Sequence, residues 1–351
     1  VIPHEYYIKR CIQLAKNGLG TTYPNPMVGC VIVHDGRSIG EGWHHKAGTP
    51  HAEVHAINSV HNKALLEDAT LYVSLEPCSH FGKTPPCSAL IIESGIKKVV
   101  IGTVDPFVKV AGRGIKKLMT AGCEVIVGVL EQECQALNQR FFTFHTQKRP
   151  YIILKWAESL DGFISPDPKT RKEQKPVWIT NAFARQLVHQ WRTQEQAILI
   201  GTTTAIADNP QLNARDWHGS NPARIVLDRT GKIPMAAAVF DNTATTIRLI
   251  SKEKTQGILP KNVKDHTIDF TANVLQQIMN VLFDHELQSV IIEGGRQTLQ
   301  SFIDANLWDE ARVFTGTLHF GTGIKAPKLQ KSANHQQQKL GSNLLNIYGN
   351  D

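Results

Sequence analysis

Hydrophobic positions along the first 130 residues switch repeatedly between helical and strand-like spacing. Tyr7, Ile8, Cys11, Ile12, Leu14 and Ala15 recur at helical intervals with Gly18 as a stop, which predicts a helix over Tyr6–Gly18. Val28–Val33 is a continuous apolar run that reads as a buried strand. A turn at His34–Arg37 returns it through Ser38–Trp43 as a hairpin. His44–Pro50 is then a loop that delivers His51 to the start of a helix ending near Val60. Further strands are predicted at Thr70–Leu75, Lys98–Gly102 and Glu124–Val127, with helices at Ser88–Ser94 and Gly114–Ala121. Strand and helix alternating behind a hairpin imply a mixed sheet covered by helices.

The pattern breaks at Cys134–Phe142, an amphipathic connector, and at the polar stretch His145–Pro150. This places a boundary between domains 1–147 and 148–351, as a chain of 351 residues favours. Tyr151–Trp156 reads as a strand and the polar, proline-bearing 166–176 as a mobile surface loop. Trp178–Asn181 caps a helix from Ala182 to about Arg192, with Phe183, Leu187, Val188 and Trp191 on its apolar side. Ala197–Gly201, Arg224–Leu227, Thr246–Ile250 and Val290–Ile292 are short β-rich runs, and Ala272–Phe283 and Thr298–Ala305 are helical. The second half is thereby expected to hold a parallel-rich α/β sheet.

Composition narrows the class. The chain is 41% hydrophobic and 20% charged, as in soluble globular proteins. No apolar run approaches the roughly 20 residues of a membrane span. The opening residues lack a signal-peptide pattern, so a cytoplasmic protein is expected. The formal charge of +7 suits a phosphorylated small molecule; lysines and arginines are scattered rather than blocked, which argues against nucleic acid as a partner. Six cysteines are too few for a disulfide scaffold and fit a reducing compartment. Cys11, Cys30, Cys123 and Cys134 sit in apolar or helical contexts and read as small core residues.

The remaining two, Cys78 and Cys87, carry the chemistry together with His51 and Glu53. One imidazole and two thiolates are a ligand set for zinc that leaves a fourth position to water, and Glu53, two residues past His51, is placed for general acid/base work. His51 and Cys78 are each expected at a junction into a helix, whose N-terminus favours a thiolate. Other readings stay open on residues alone. A closed structural site would take a fourth ligand from His45, His55 or His80, and His51 with His55 forms an i, i+4 pair. A zincin, however, has Glu directly after the first His, where Ala52 stands here. In the second half, Gly201–Thr204 and Glu293–Arg296 follow strands, and the paired glycines would admit a phosphate at a helix N-terminus. There is no Gly-x-Gly-x-x-Gly fingerprint. Pro24 and Pro26 stiffen the turn that holds Asn25, a candidate ligand contact.

His51-Ala52-Glu53 and Pro77-Cys78 resemble the signature of zinc-dependent cytidine and deoxycytidylate deaminases. The longer text is narrower: Pro24-Asn25-Pro26, Val28-Gly29-Cys30, His51 to Ala56, Leu75 to His80, Thr84 to Cys87, Asp105-Pro106 and Val110 to Gly114. It closely resembles the bifunctional riboflavin-biosynthesis deaminase/reductases, and the eight residues between the cysteines differ from the usual two of nucleoside and nucleic-acid deaminases. Leu154-Lys155, Ser159 to Gly162, Trp178 to Thr180, Ala207 to Pro210 with Leu212, and Glu293 to Gly295 resemble the reductase half of the same family. The resemblance implies a cytidine-deaminase-like three-layer mixed sheet followed by a dihydrofolate-reductase-like α/β domain. It implies Zn2+ on His51, Cys78 and Cys87, Glu53 as proton carrier, and NADPH as second cofactor. Ala157, Trp178, Thr204, Asp208 and the run Gly295, Arg296, Gln297, Thr298, Leu299, Gln300 and Ser301 would line the NADPH site. Arg192, Leu212, Arg215 and Glu293 would hold a phosphorylated pyrimidine substrate, arginine being apt for its phosphate. Lys155 stands near that site without an assigned role. A homo-oligomer, dimer or tetramer, is implied as well. One departure stands out: Pro176 occupies the place of the family's usual serine, behind an expansion of several residues.

Overall fold

The computed structural model describes residues 2–79, 85–107, 111–170, 177–254, 259–330 and 334–350. The chain divides into two compact units, Val1–Lys148 and Arg149–Asp351. Among the described residues no helix is long and apolar enough to cross a membrane.

The first unit runs α1 (His4–Ala15), β1 (Gly29–His34), β2 (Arg37–Trp43), α2 (Ala52–Ser59), β3 (Thr70–Leu75), α3 (Cys87–Glu93), β4 (Lys98–Thr103), α4 (Arg113–Thr120), β5 (Glu124–Val127), α5 (Glu131–Leu137) and α6 (Gln139–Gln147). Its five-stranded sheet has the order β2-β1-β3-β4-β5. β1 is antiparallel to β2 and β3, whereas β3, β4 and β5 are parallel. Alternation along each strand makes the three layers. Val31, Val33, Tyr72 and Val100 face α1 residues Tyr7, Ile8, Cys11 and Leu14. Cys30, Ile32, Leu71, Val73, Val99 and Ile101 face the opposite layer, which supplies Ala52, Ala56, Ile57, Ile91 and Leu118. Glycine lets α2 ride close on β2: a Cβ at Gly42 would lie 2.5 Å from the Ala56 nitrogen and 2.6 Å from the Ala52 oxygen. That approach fixes the start of α2, where His51 and Glu53 stand.

The second unit runs β6 (Tyr151–Glu158), β7 (Phe163–Pro166), α7 (Ala182–Gln194), β8 (Ala197–Gly201), α8 (Thr202–Asp208), β9 (Ala223–Leu227), β10 (Thr246–Ile250), β11 (Val263–Thr267), α9 (Val274–Asp284), β12 (Ser289–Glu293), α10 (Arg296–Asp304), β13 (Glu310–Thr315), β14 (Gly323–Lys325), β15 (His335–Leu340) and β16 (Asn343–Gly349). Nine strands form one sheet in the order β11-β10-β9-β8-β12-β6-β13-β16-β15. The first seven are parallel; β16 and β15 add antiparallel. Central parallel strands are covered on both faces, as their apolar runs require. One core joins Ile152, Leu154, Leu199, Val290 and Ile292 to α9 and α10, and the other joins Ile153, Ile198, Ile200 and Ile291 to α7.

Three expectations change. Phe183 is 70% exposed, because α7 buries Ala184, Val188, His189, Trp191 and Arg192 instead. Cys78 does not open a helix; Cys87 is the first residue of α3. Strands β7, β11 and β13 to β16 and helix α8 add to the elements read from the sequence. The expansion before Trp178, with Pro176, and His80 lie outside the described residues.

Candidate active sites of the two units

In the first unit His51 is the N-cap residue of α2, Cys78 follows β3 and Cys87 opens α3. His51 Nδ1 lies 3.6 Å from Cys78 Sγ and 3.3 Å from Cys87 Sγ. Ligand bonds of ordinary zinc length at tetrahedral angles give nitrogen–sulfur edges of about 3.5 Å, so the donor set fits that ion. Among the described residues these three form the cluster that can hold a metal. The helix terminus still acts on Cys78, since the Cys87 N–H donates to its sulfur at 3.3 Å. That sulfur ionises first: hydrogen bonds from Cys87 and His51 hold its pKa down to about 4 despite burial. The neighbouring thiolate, with burial, pushes the Cys87 thiol up.

Glu53 is 3% exposed, in the first turn of α2 beside these three residues. Burial, reinforced by the charge on Cys78, raises its carboxyl to about 7. Such a group holds or releases a proton near neutrality, which is what acid/base catalysis needs. His44, overlooked in the sequence, is 2% exposed with its ring 5.3 Å from that of His51. Its Nδ1 bonds the Pro50 carbonyl oxygen at 3.1 Å and its Nε2 meets Asn25 Nδ2 at 3.1 Å. Strand alternation carries the signal, since Gly40, Gly42 and His44 all turn inward.

The second unit holds a cleft of about 1580 Å³ at the carboxyl ends of β6, β8, β9 and β12. Every position that the family resemblance assigns to NADPH or to the substrate lines it. At one end the Glu293 carboxylate receives Lys155 Nζ at 2.5 Å and Arg192 Nη2 at 2.9 Å. Burial pushes this carboxyl up, but the Arg192 and Lys155 cations outweigh it and hold it well below the usual range. Arg192 Nη1 donates to the Asn213 carbonyl at 3.0 Å, while its buried Nε has no partner among the described residues. A buried donor left open in a cleft is a ligand contact in waiting. His189, also facing the cleft, is held down at about 4 by burial and the Arg192 cation, so it stays neutral.

Gly294 and Gly295 stand at φ +102° and +68°, where a Cβ would lie 2.8 and 3.2 Å from Thr204 side-chain atoms. They open α10, whose N-cap position Gly295 carries no side-chain hydrogen bond to the helix start among the described residues. Open N–H groups at a helix start, approached over bare backbone, fit a pyrophosphate. Trp178 lies half-exposed on the cleft wall under the Arg185 guanidinium, 4.7 Å from its ring centre.

Comparison with known proteins agrees with both halves. Residues 2–103 match the cytidine and deoxycytidylate deaminase zinc-binding region, and residues 150–346 match the RibD C-terminal domain. The riboflavin biosynthesis protein RibD of Aquifex aeolicus is 40% identical over 347 residues, 98% of this chain and 96% of its own length. The Escherichia coli RibD is 35% identical, over 96% and 95%. The crystal structure of the Thermotoga maritima diaminohydroxyphosphoribosylaminopyrimidine deaminase/5-amino-6-(5-phosphoribosylamino)uracil reductase superposes with a TM-score of 0.86 at 40% identity, covering 99% of this chain and 98% of that one. With a zinc-type ligand triad in one unit, a dinucleotide-sized cleft in the other and relatives spanning both, the chain belongs to the RibD family of bifunctional riboflavin biosynthesis deaminase/reductases.

Proposed function

We propose that the chain carries one phosphorylated pyrimidine through two consecutive reactions. The first unit removes the 2-amino group of 2,5-diamino-6-ribosylamino-4(3H)-pyrimidinone 5′-phosphate by hydrolysis. The second reduces the ribosyl group of that product to ribityl with NADPH. The observation that carries the reading is the three-ligand His51–Cys78–Cys87 cluster beside the buried Glu53 carboxyl. Three ligands among the described residues leave a metal one open position, the arrangement of a catalytic rather than a structural site.

Zinc held there supplies Lewis acidity that brings the pKa of a water to about 7. Glu53 takes a proton from the attacking water as its oxygen bonds the ring carbon. It returns that proton to the exocyclic nitrogen, the carbon–nitrogen bond breaks and ammonia leaves. Asn25, whose amide is held by His44 at 3.1 Å, is the residue we assign to orienting the heterocycle. In the second unit Arg192 and Arg215 take the substrate phosphate, Glu293 fixes Arg192 and Lys155, and the N–H groups of α10 with Thr204 take the cofactor pyrophosphate. NADPH supplies the reducing equivalents, and the protein contributes position and charge. We place the enzyme in the cytoplasm, where its six free thiols stay reduced. A dimer or tetramer is the assembly we expect, and light scattering of the purified chain measures it.

The test is to incubate the chain with the diaminopyrimidinone phosphate, with and without NADPH, and weigh the products. Without NADPH the expected product has exchanged one amino group for oxygen, with ammonia released; with NADPH it gains a further pair of hydrogens. No ammonia under either condition would refute the reading.

A further inference from the structure

Glu76 is a carboxylate of the first unit that deamination does not use, 4% exposed. It leaves the end of β3 and leads through Pro77 to the ligand Cys78. A buried carboxylate needs donors, and its partners among the described residues are backbone N–H groups from far along the chain. Oε2 accepts from Gly112 at 2.9 Å and from Asp105 at 3.4 Å. Oε1 accepts from Gly114 at 2.9 Å and from Ile115 at 3.3 Å. Gly112 is the N-cap residue of α4, in the left-handed conformation and without a side-chain cap of its own. Glu76 therefore caps α4 from another element, with its negative charge at the positive end of the helix.

The next residue is pinned to the same place. A Cβ at Gly114 would lie 2.0 Å from the Pro77 carbonyl oxygen, so only glycine lets α4 press against it. Consecutive residues Glu76 and Pro77 are thus fastened to one helix terminus, and the residue after them is Cys78. Cys78 is held on its other side by α3: its carbonyl accepts the Ser88 N–H at 3.1 Å and its sulfur the Cys87 N–H at 3.3 Å. An Asp or Ser at position 112 would cap α4 locally but would tie nothing to Cys78. All four donors to Glu76 lie beyond residue 103, where the match to the deaminase zinc-binding region ends.

We infer that Glu76 is a positioning residue of the metal centre: by tying the exit of β3 to the start of α4 it sets where Cys78 Sγ stands relative to His51 and Cys87. The inference rests on the zinc reading of that cluster. Its partners across the fold have the character of outer-shell contacts, whose loss commonly costs 10–100-fold in metal affinity, on the order of one to two decades.

The experiment uses the full chain with cobalt(II) in place of zinc, and the variants Glu76→Gln and Gly114→Ala. Glutamine keeps the shape but turns an N–H2 toward N–H donors, breaking the bonds to one side. Alanine at 114 keeps the Glu76 side chain but crowds its surroundings: the new Cβ would lie 2.0 Å from the Pro77 carbonyl oxygen and 3.2 Å from Glu76 Oε1. Both are expected to shift the thiolate-to-cobalt charge-transfer band and to speed zinc loss to a chelator at least about tenfold. Deamination should lose kcat with little change in KM, and NADPH-dependent reduction in the same chain should stay at the wild-type rate. If Glu76→Gln does not accumulate folded, Gly114→Ala carries the test alone. Variants that melt earlier yet keep the wild-type cobalt spectrum and zinc release would overturn the inference and leave Glu76 a helix anchor. A wild-type chain that takes up no cobalt would overturn the metal reading itself, and this inference with it.

Discussion

Replacing Glu293 by glutamine removes one negative charge from between two cations. Its carboxylate meets Lys155 at 2.5 Å and Arg192 at 2.9 Å, and the side chains of the three are only 10–16% exposed. Each pair at about 3 Å interacts by roughly 5 kcal/mol at an effective dielectric near 20, before desolvation is subtracted. Breaking a buried pair and stranding its partner typically costs about 3–5 kcal/mol net, and we expect that loss for Glu293→Gln. Five of the six tryptophans lie in the second unit, so tryptophan fluorescence during urea unfolding reports on it. The pH dependence adds a signature. The folded-state pKa of Glu293 is depressed, so its contribution is fully present above the unfolded value of about 4.3. It is lost as pH falls from there through the folded value, because the unfolded chain takes up the proton first. The gap between wild type and variant should stay constant from neutrality to about pH 5 and then close. A variant within about 0.5 kcal/mol of wild type at pH 7, or a gap that does not close in acid, would refute the reasoning.

Glu53→Gln should retain zinc and lose ammonia release by about 10²–10⁴-fold with reduction of pre-deaminated substrate unchanged; stopped assays of each half-reaction check this. Gly295→Ala forces a side chain into a φ of +68° against Thr204. It should raise the NADPH KM about tenfold or more, since strain of about 1–2 kcal/mol falls on the cofactor cradle, while deamination is untouched. Arg192→Lys removes the open Nε and the fork to Glu293 and Asn213. Steady-state kinetics should show KM for the phosphorylated substrate raised about tenfold or more, an effect of one lost charge-assisted bond of about 1.5–3 kcal/mol.

What could be read in advance follows the physics of each segment. Parallel strands buried on both faces announce themselves as apolar runs, and Ile198–Ile200 or Val290–Ile292 needed no partner to be recognised. His51, Cys78 and Cys87, which the structure brings into one cluster able to hold a metal, were legible because cysteine and histidine flanking turns have few other uses. β15, His335–Leu340, reads only as polar chain; it is a strand because β16 supplies its hydrogen bonds. Phe183 misled because α7 spends part of its inward face on His189 and Arg192, which turn to the cleft. Glu76 carried no local signal, since the groups it binds lie 29–39 residues further on. Cys78 was expected at a helix start, yet its helix N–H comes from Cys87, nine residues further on.

The central claim is a zinc ion on His51, Cys78 and Cys87 with one position left to solvent. X-ray absorption at the zinc edge of the full chain, purified without chelators, tests it most directly. One zinc per chain with two sulfur, one nitrogen and one oxygen neighbour is the result we expect. A shell of four protein ligands, or no stoichiometric metal, would contradict it.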